Sequence, residues 1–428
     1  MAKITYEKLR EFLINSEKYP KCKKYQRAPL IHEGFPGTFN LSFTEYDMLR
    51  EFGGYSNFPK NQIFSTIQSC VRPQDILENL KYGKEIWKYL GVFEMSDIAG
   101  QITLSKKEDI KKIHTWQLNK LIELLVKLGL EKERIFPSYC RGGDVAKITK
   151  GKYTFDFKIP EDTLTKEAFI ESGIPKENLI PDKTRDTFLS LHINMPTPWG
   201  YRNEINYNIG TKEKPQLLDI ATLEYFLWLP TYSSKEKVSK NINGLKEFEH
   251  TISIGGIGVE RLCVAVNGLK SIQEIDYIKK FYDLFRKLYP KLTEEQRIKA
   301  GEVIRALHRI YSDVAEMKLK IGKQQNKKVK YFLQVLNQNL FEPLEITNLG
   351  RNRNEKIRTF LQIVGKNLGN FSEEKLKQLL DLNSKAQPWH RNLSKGIKPT
   401  IARIKMYYQS QDRLRVKRST KPEKHQQK

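Results

Sequence analysis

The chain has 428 residues, 39% of them hydrophobic, enough to bury a sizeable core and to set an expectation of two or three domains. Lys and Arg total 75 against 50 for Asp and Glu, a formal net charge of +25 that points to a polyanionic partner. No apolar run is long enough to span a bilayer or act as a signal peptide, so nucleic acid is preferred to a membrane surface, and a cytoplasmic location is expected. Cys22, Cys70, Cys140 and Cys263 are far apart and form no CxxC pair, which argues for buried reduced thiols rather than a zinc site or a disulfide framework.

In chain order, "ITYEKLREFLINSEKY" places Leu9, Phe12 and Leu13 at helical intervals behind a Thr5 that caps. Prolines and glycines then punctuate β-prone runs such as "FNLSF", where Phe39, Leu41 and Phe43 alternate. Residues 106–130 read as a strong helix, with Ile110, Ile113, Leu118, Leu121, Ile122, Leu125 and Leu128 on one side and Gly129 as the stop. A short helix ends in "ESGIPKENLIP". Between Phe188 and Leu229 the pattern alternates: Ile205 and Tyr207 oppose Glu204 and Asn206, and "LLDIATLEYFLWLP" reads as a buried strand. After Gly268 the pattern is helical and increasingly basic, ending in "RLRVKRSTKPEKHQQK", which composition reads as a disordered tail.

No fixed-period repeat is evident. The expected fold class is α+β, a mostly antiparallel sheet flanked by helices and followed by an all-α basic domain. The expected domains are residues 1–290, 291–412 and a basic tail, 413–428.

Two arginine-bearing stretches carry the chemistry. In "SIGGIGVERL", Gly255, Gly256 and Gly258 precede Arg261. Either a tight turn leads into a surface helix, or a strand, turn and helix let a flat or anionic ligand approach bare backbone beside the arginine. In "STIQSCVRPQDILENLKYGKEIWKYLGVFEM", a strand runs into Arg72 and a second strand returns through Glu94. An arginine there either pairs with surface carboxylates or binds a phosphate bidentately.

Together these stretches resemble motifs 2 and 3 of class II aminoacyl-tRNA synthetases, and alanyl-tRNA synthetases in particular. That family carries a "CVR...DLENVG...FFEMLG" run and a "GMGLERI" run. "ESGIPKENLIP", "DTFLSLHINMPTPWGYRNEINYN" and "LLDIATLEYFLWLP" follow in the family's order, so that the likeness covers roughly residues 5–340.

The resemblance implies a class II synthetase-like catalytic domain over residues 1–290, with that family's sheet, which activates an amino acid, alanine by family, with ATP and Mg²⁺ and transfers it to tRNA, and a helical tRNA-binding domain over residues 291–412. Arg72 is expected on the α-phosphate and carboxylate, and Arg261 on the adenine and γ-phosphate. Gly256 and Gly258 are expected to admit the nucleotide, Glu94 to contact ATP, and Glu204 to contact magnesium. Cations placed where charge develops are the largest available catalytic contribution, and no protein nucleophile is required.

The pocket departs from the family. The aspartate expected to hold the substrate ammonium is replaced by Ile254, and the other pocket positions hold Leu189, Thr222 and Glu224. Glu224 either restores the negative charge from the facing strand or, with the register shifted by one, points to solvent. Further on, the resemblance implies that Asn326 lies near the tRNA acceptor stem, with Lys327, Lys328 and Lys330 on phosphates. No HxxxH pattern is present, so no editing domain is expected. Activation for a non-tRNA acceptor and a catalytically silent tRNA-binding protein are the alternatives. The oligomeric state stays open, a monomer being slightly favoured.

Overall fold

The structure, a computed structural model, describes residues 3–18, 22–24, 27, 30, 62–72, 76, 91–98, 101–104, 107–143, 154–155, 157–183, 186–190, 198–232, 241–317 and 349–419. It has a mixed α+β architecture, a central many-stranded sheet flanked by helices, and a C-terminal all-helical region.

The helices are α1 (Tyr6–Asn15), α2 (Lys107–Lys127), α3 (Thr163–Glu171), α4 (Val259–Asn267), α5 (Asp276–Leu288), α6 (Glu294–Met317), α7 (Leu349–Leu368), α8 (Glu373–Lys385) and α9 (Leu393–Ser419). Helix α1 starts where Thr5 accepts from the Lys8 N–H at 3.4 Å, which satisfies a donor left orphaned by the helix start. Helix α2 ends as its sequence predicts: Gly129 takes φ 87°, a left-handed conformation that glycine adopts without a Cβ penalty.

The strands are β1 (Lys23–Lys24), β2 (Gln62–Ser65), β3 (Ile67–Val71), β4 (Val92–Asp97), β5 (Gln101–Leu104), β6 (Ile135–Cys140), β7 (Thr154–Phe155), β8 (Ile180–Asp182), β9 (Phe188–Ser190), β10 (Trp199–Asn208), β11 (Leu217–Tyr232) and β12 (Asn241–Gly258). The main path runs β1-β2-β5-β12-β11-β10-β6-β8, with β4 on β12, β3 on β4, β7 on β12 and β9 on β10. The long ladders β10–β11 and β11–β12 are antiparallel. Strand β10 shows why: Trp199, Tyr201, Asn203, Ile205 and Tyr207 are buried, while Arg202, Glu204 and Asn206 are half-exposed, so one face enters the core and the other carries charge.

On the core side, buried Asp162 accepts from Asn203 Nδ2 at 3.0 Å, from the Thr165 N–H at 3.1 Å and from the Tyr225 hydroxyl. One hydrophobic core runs from Leu9 in α1, through Leu121 in α2 and Leu223 in β11, to Phe281 in α5, Leu307 in α6 and Ile404 in α9. This core continues across residue 290, so the helical region shares its packing with the sheet region. Each fully buried leucine or phenylalanine side chain in it contributes about 1.5–3 kcal/mol.

The C-terminal stretch read as a tail from 413 is helical through Ser419, because α9 carries its buried row from Thr400, Ile401 and Ile404 onto neighbouring helices and extends beyond it. The alternating run Phe39, Leu41 and Phe43 lies outside the described residues. Among the described residues no helix is long and apolar enough to cross a membrane.

Candidate functional site

Antiparallel registry collects the site on one face of the sheet, since residues directly opposite each other share a face. Arg202 in β10 stands across from Glu224 in β11, and Glu224 across from Ile254 in β12. One step along the ladders, Glu204 stands across from Thr222, and Thr222 across from Gly256. In the other direction, Gly200 stands across from both Leu189 and Phe226, and Phe226 across from Ile252. Leu189, Phe226, Ile252 and Ile254, with Met95 and Phe248, pack as an apolar cluster beside the charged rows.

Arg261 lies in the first turn of α4 and reaches back to the start of β11. Its Nη1 donates to Asp219 Oδ2 at 2.7 Å and to the Asp219 carbonyl at 3.2 Å, leaving its other N–H groups without a partner among the described residues. Arg72 follows β3 directly; its guanidinium stacks over the Phe93 ring, 5.3 Å from the centroid, and makes no ion pair among the described residues. Cation–π stacking holds the guanidinium plane while leaving the N–H groups free.

Arg202 links the carboxylates. Its Nη2 lies 3.0 Å from Glu204 Oε1, and its Nε lies 3.5 Å from Glu224 Oε1, too long for a hydrogen bond, so the buried Nε has no hydrogen-bond partner. Burial raises the Glu224 carboxyl above its ordinary range, while the charges of Arg202 and then Arg72 pull it down. Burial also raises Glu204, opposed by Arg202 and Arg261 and reinforced by Asp219 and Asp186. Arg72, Glu224, Arg202, Glu204, Asp219 and Arg261 thus form one electrostatically connected arc. It offers, among the described residues, unpaired cationic donors at both ends and a half-exposed carboxylate between them.

The glycines divide by face. No turn separates β12 from α4: Gly258 has φ −73° and ψ 103°, and none of Gly255, Gly256 and Gly258 has a positive φ. The turn expected from the glycine cluster is therefore replaced by a strand running straight into a helix. A Cβ on Gly255 meets Ile98 Cβ at 2.7 Å and Leu223 Cδ1 at 2.9 Å, so this glycine serves close packing. The atoms nearest to a Cβ on Gly258 belong to the Arg261 side chain, at 3.7 Å or more, which leaves bare backbone beside the arginine.

Glu94 is not on this face. It is buried against the helices, with Arg10 Nε at 2.9 Å and the Tyr6 hydroxyl at 3.1 Å on Oε2, and His390 Nε2 at 3.2 Å from Oε1. Burial pushes its carboxyl up, but His390, Arg10 and Arg309 outweigh that and hold it well below the usual range. Burial and the neighbouring Arg309 charge keep His390 down at about 3. With His390 neutral, Arg10 is the direct ion-pair partner. Glu94, expected to contact ATP, is placed as a buried link between the sheet, α1 and the C-terminal helices, because alternation along β4 puts it on the opposite face from Met95.

Among the described residues no group of three or more His, Cys, Asp or Glu could hold a metal ion, and Glu204, expected at magnesium, is engaged by Arg202. Asn326, Lys327, Lys328 and Lys330 lie outside the described residues. Two surface clefts, about 230 Å³ between α1 and α2 and about 460 Å³ between α2 and α3, contain none of the site residues. Sequence reasoning missed Arg202 and Asp219. The two-residue spacing of Arg202 and Glu204 signals a shared face, but the reach from Asp219 to Arg261 crosses 42 residues and has no sequence signal. No protein-family model matches the chain, and no curated protein matches it.

Proposed function

We propose that the chain activates an amino acid with ATP as an aminoacyl-adenylate and transfers it to tRNA, in the manner of a shortened class II, alanyl-tRNA-synthetase-like enzyme. One observation supports this above the others: Arg72 and Arg261, from two separate sequence stretches, belong to one charged arc and both keep guanidinium donors unpaired among the described residues. When the substrate carboxylate attacks the α-phosphorus, negative charge grows on the phosphoryl oxygens, and pre-placed guanidinium groups stabilise it without reorganising. Gly258 lets the nucleotide approach the strand end beside Arg261. Glu224, raised by burial but drawn back towards ionisation by Arg202 and Arg72, receives the substrate ammonium in place of the family's aspartate, and the apolar cluster of Leu189 and Ile254 lies next to it. Magnesium accompanying ATP is held largely by phosphate oxygens and water in such reactions, and no residue here is assigned to it.

Pyrophosphate exchange with ATP, run against each of the twenty amino acids with purified protein and no tRNA, tests the reading. Exchange with one amino acid, lost on the order of a hundredfold or more in Arg72→Ala and Arg261→Ala, is the expected result. No exchange with any of them, or exchange unaffected by both substitutions, removes it.

A further inference from the structure

The charge of the chain is concentrated in its last described helices. Residues 349–419 hold 17 Lys and Arg against 5 Asp and Glu, a net +12 of the whole chain's +25. Helix α9 sorts its share by face. Thr400, Ile401 and Ile404 are buried, and Tyr407 and Tyr408 are half-buried against the same side. At 100° per residue, Lys395, Lys398, Ala402, Lys405, Met406, Gln409 and Arg413 fall within one arc, and all are exposed.

Lys395, Lys398 and Arg413 have no ion-pair partner among the described residues, and Arg391, exposed in the turn before the helix, has none either. Among the described residues Lys405 is held only by exposed Glu373 at 2.7 Å, a surface pair that a stronger anion displaces. The helix interior therefore does not use these cations. Lys395 and Arg413 are about 27 Å apart at 1.5 Å per residue, close to the ~34 Å of one duplex turn.

We propose that this row on α9 binds the phosphate backbone of a double-helical nucleic acid. A membrane surface fits less well, because an interfacial helix needs a broad apolar face and this row offers only Ala402 and Met406, the latter 58% exposed. Cations spaced along one face of a helix suit a regular array of phosphates, which position a duplex without reading its sequence. The row is separate from the arginine arc on the sheet, and shares with the preceding reading only the class of partner, so the two fail independently.

The test is binding of a 20-base-pair RNA hairpin, followed by fluorescence anisotropy between 50 and 300 mM KCl. The triple variant Lys395→Gln/Lys398→Gln/Arg413→Gln is compared with a charge-matched control on exposed positions of α2, Lys111→Gln/Lys112→Gln/Lys127→Gln. The expected result is a loss on the order of tenfold or more at 100 mM salt and a slope of log K against log[salt] shallower by about 2 to 3 in the α9 variant alone. Equal losses in both variants, or an unchanged slope, overturn the proposal. So does wild-type binding to phosphatidylserine vesicles that is tighter than to the hairpin. Pyrophosphate exchange without RNA is measured in parallel: its retention in the α9 variant is expected, and its absence in the wild type removes the ATP reading without touching the row.

Discussion

Glu224 in β11 stands directly across the ladder from Ile254 in β12, the position at which the family resemblance expects an aspartate. Opposed Cβ atoms in such a pair are about 4.5–5.5 Å apart. A carboxylate on either strand therefore serves nearly the same point in space. Glu224→Gln is expected to raise the amino-acid KM in pyrophosphate exchange about a hundredfold, the scale of a charge-assisted hydrogen bond. The double variant Glu224→Gln/Ile254→Asp recovers most of it. A double variant no better than the single one removes Glu224 from substrate binding.

Asp219 orients Arg261 through a 2.7 Å contact between partly exposed groups, and touches nothing else expected to react. Asp219→Ala is expected to raise the KM for ATP and lower kcat by a combined factor of about 10 to 100, while leaving the amino-acid KM near its wild-type value. Steady-state exchange with each substrate varied separately checks this split. A uniform loss of stable protein instead marks Asp219 as structural.

Two of the glycines are distinguished by a pair of alanine substitutions. Gly255→Ala pushes a methyl group into Ile98 and Leu223 and is expected to cost about 1–3 kcal/mol in denaturant unfolding. Gly258→Ala finds room, so its stability stays within about 0.5 kcal/mol while nucleotide affinity falls. Reversed effects overturn the division of these glycines between packing and ligand approach.

Glu260 is buried behind the sheet, accepting from Tyr6 at 3.0 Å, Tyr277 at 2.7 Å and the Glu94 N–H at 2.9 Å. Burial, then the Glu94 charge, raises its carboxyl to about 7. The folded state therefore holds a proton that the unfolded chain releases near 4.5, so its contribution is fully present below 4.5 and is lost as pH rises to 7. Over that window the wild type is expected to lose stability relative to Glu260→Gln, by about 3 kcal/mol at most. Urea unfolding of both proteins at pH 5, 6, 7 and 8 reads the difference directly; parallel curves sink the assignment.

Breaking the ion pair behind the sheet has a different signature. Arg10→Ala leaves the Glu94 carboxylate buried without its direct cation and is expected to destabilise by about 3 kcal/mol. Exchange activity measured well below the melting temperature is retained, since this network lies away from the arginine arc. Loss of activity at full stability places Glu94 back among the site residues.

Much of the architecture was legible locally. The Thr5 cap, the stop at Gly129 and the alternation of Ile205 and Tyr207 against Glu204 follow from hydrogen-bonding groups and periodicity within a few residues. The candidate site was only half legible. Arg72, Arg261 and Glu224 stand out by their neighbours in sequence, and the structure brings them to one arc. Glu94 does not, because its place beside Arg72's strand says nothing of which face of β4 it occupies. The basic character of the C-terminal region was visible in composition, but composition alone gave a tail from 413 where the helix continues to Ser419.

The sequence by itself determined much of which segments are helix or strand and that the chain carries a cationic excess, since those depend on local spacing and on a sum of charges. Only the tertiary structure decided that Glu224 faces Ile254, that Asp219 holds Arg261, that Gly255 packs while Gly258 stays open, and that the cations of α9 share one exposed row. Those relationships are set by strand register and by helix packing against a common core, and both are fixed by contacts between residues distant in the chain.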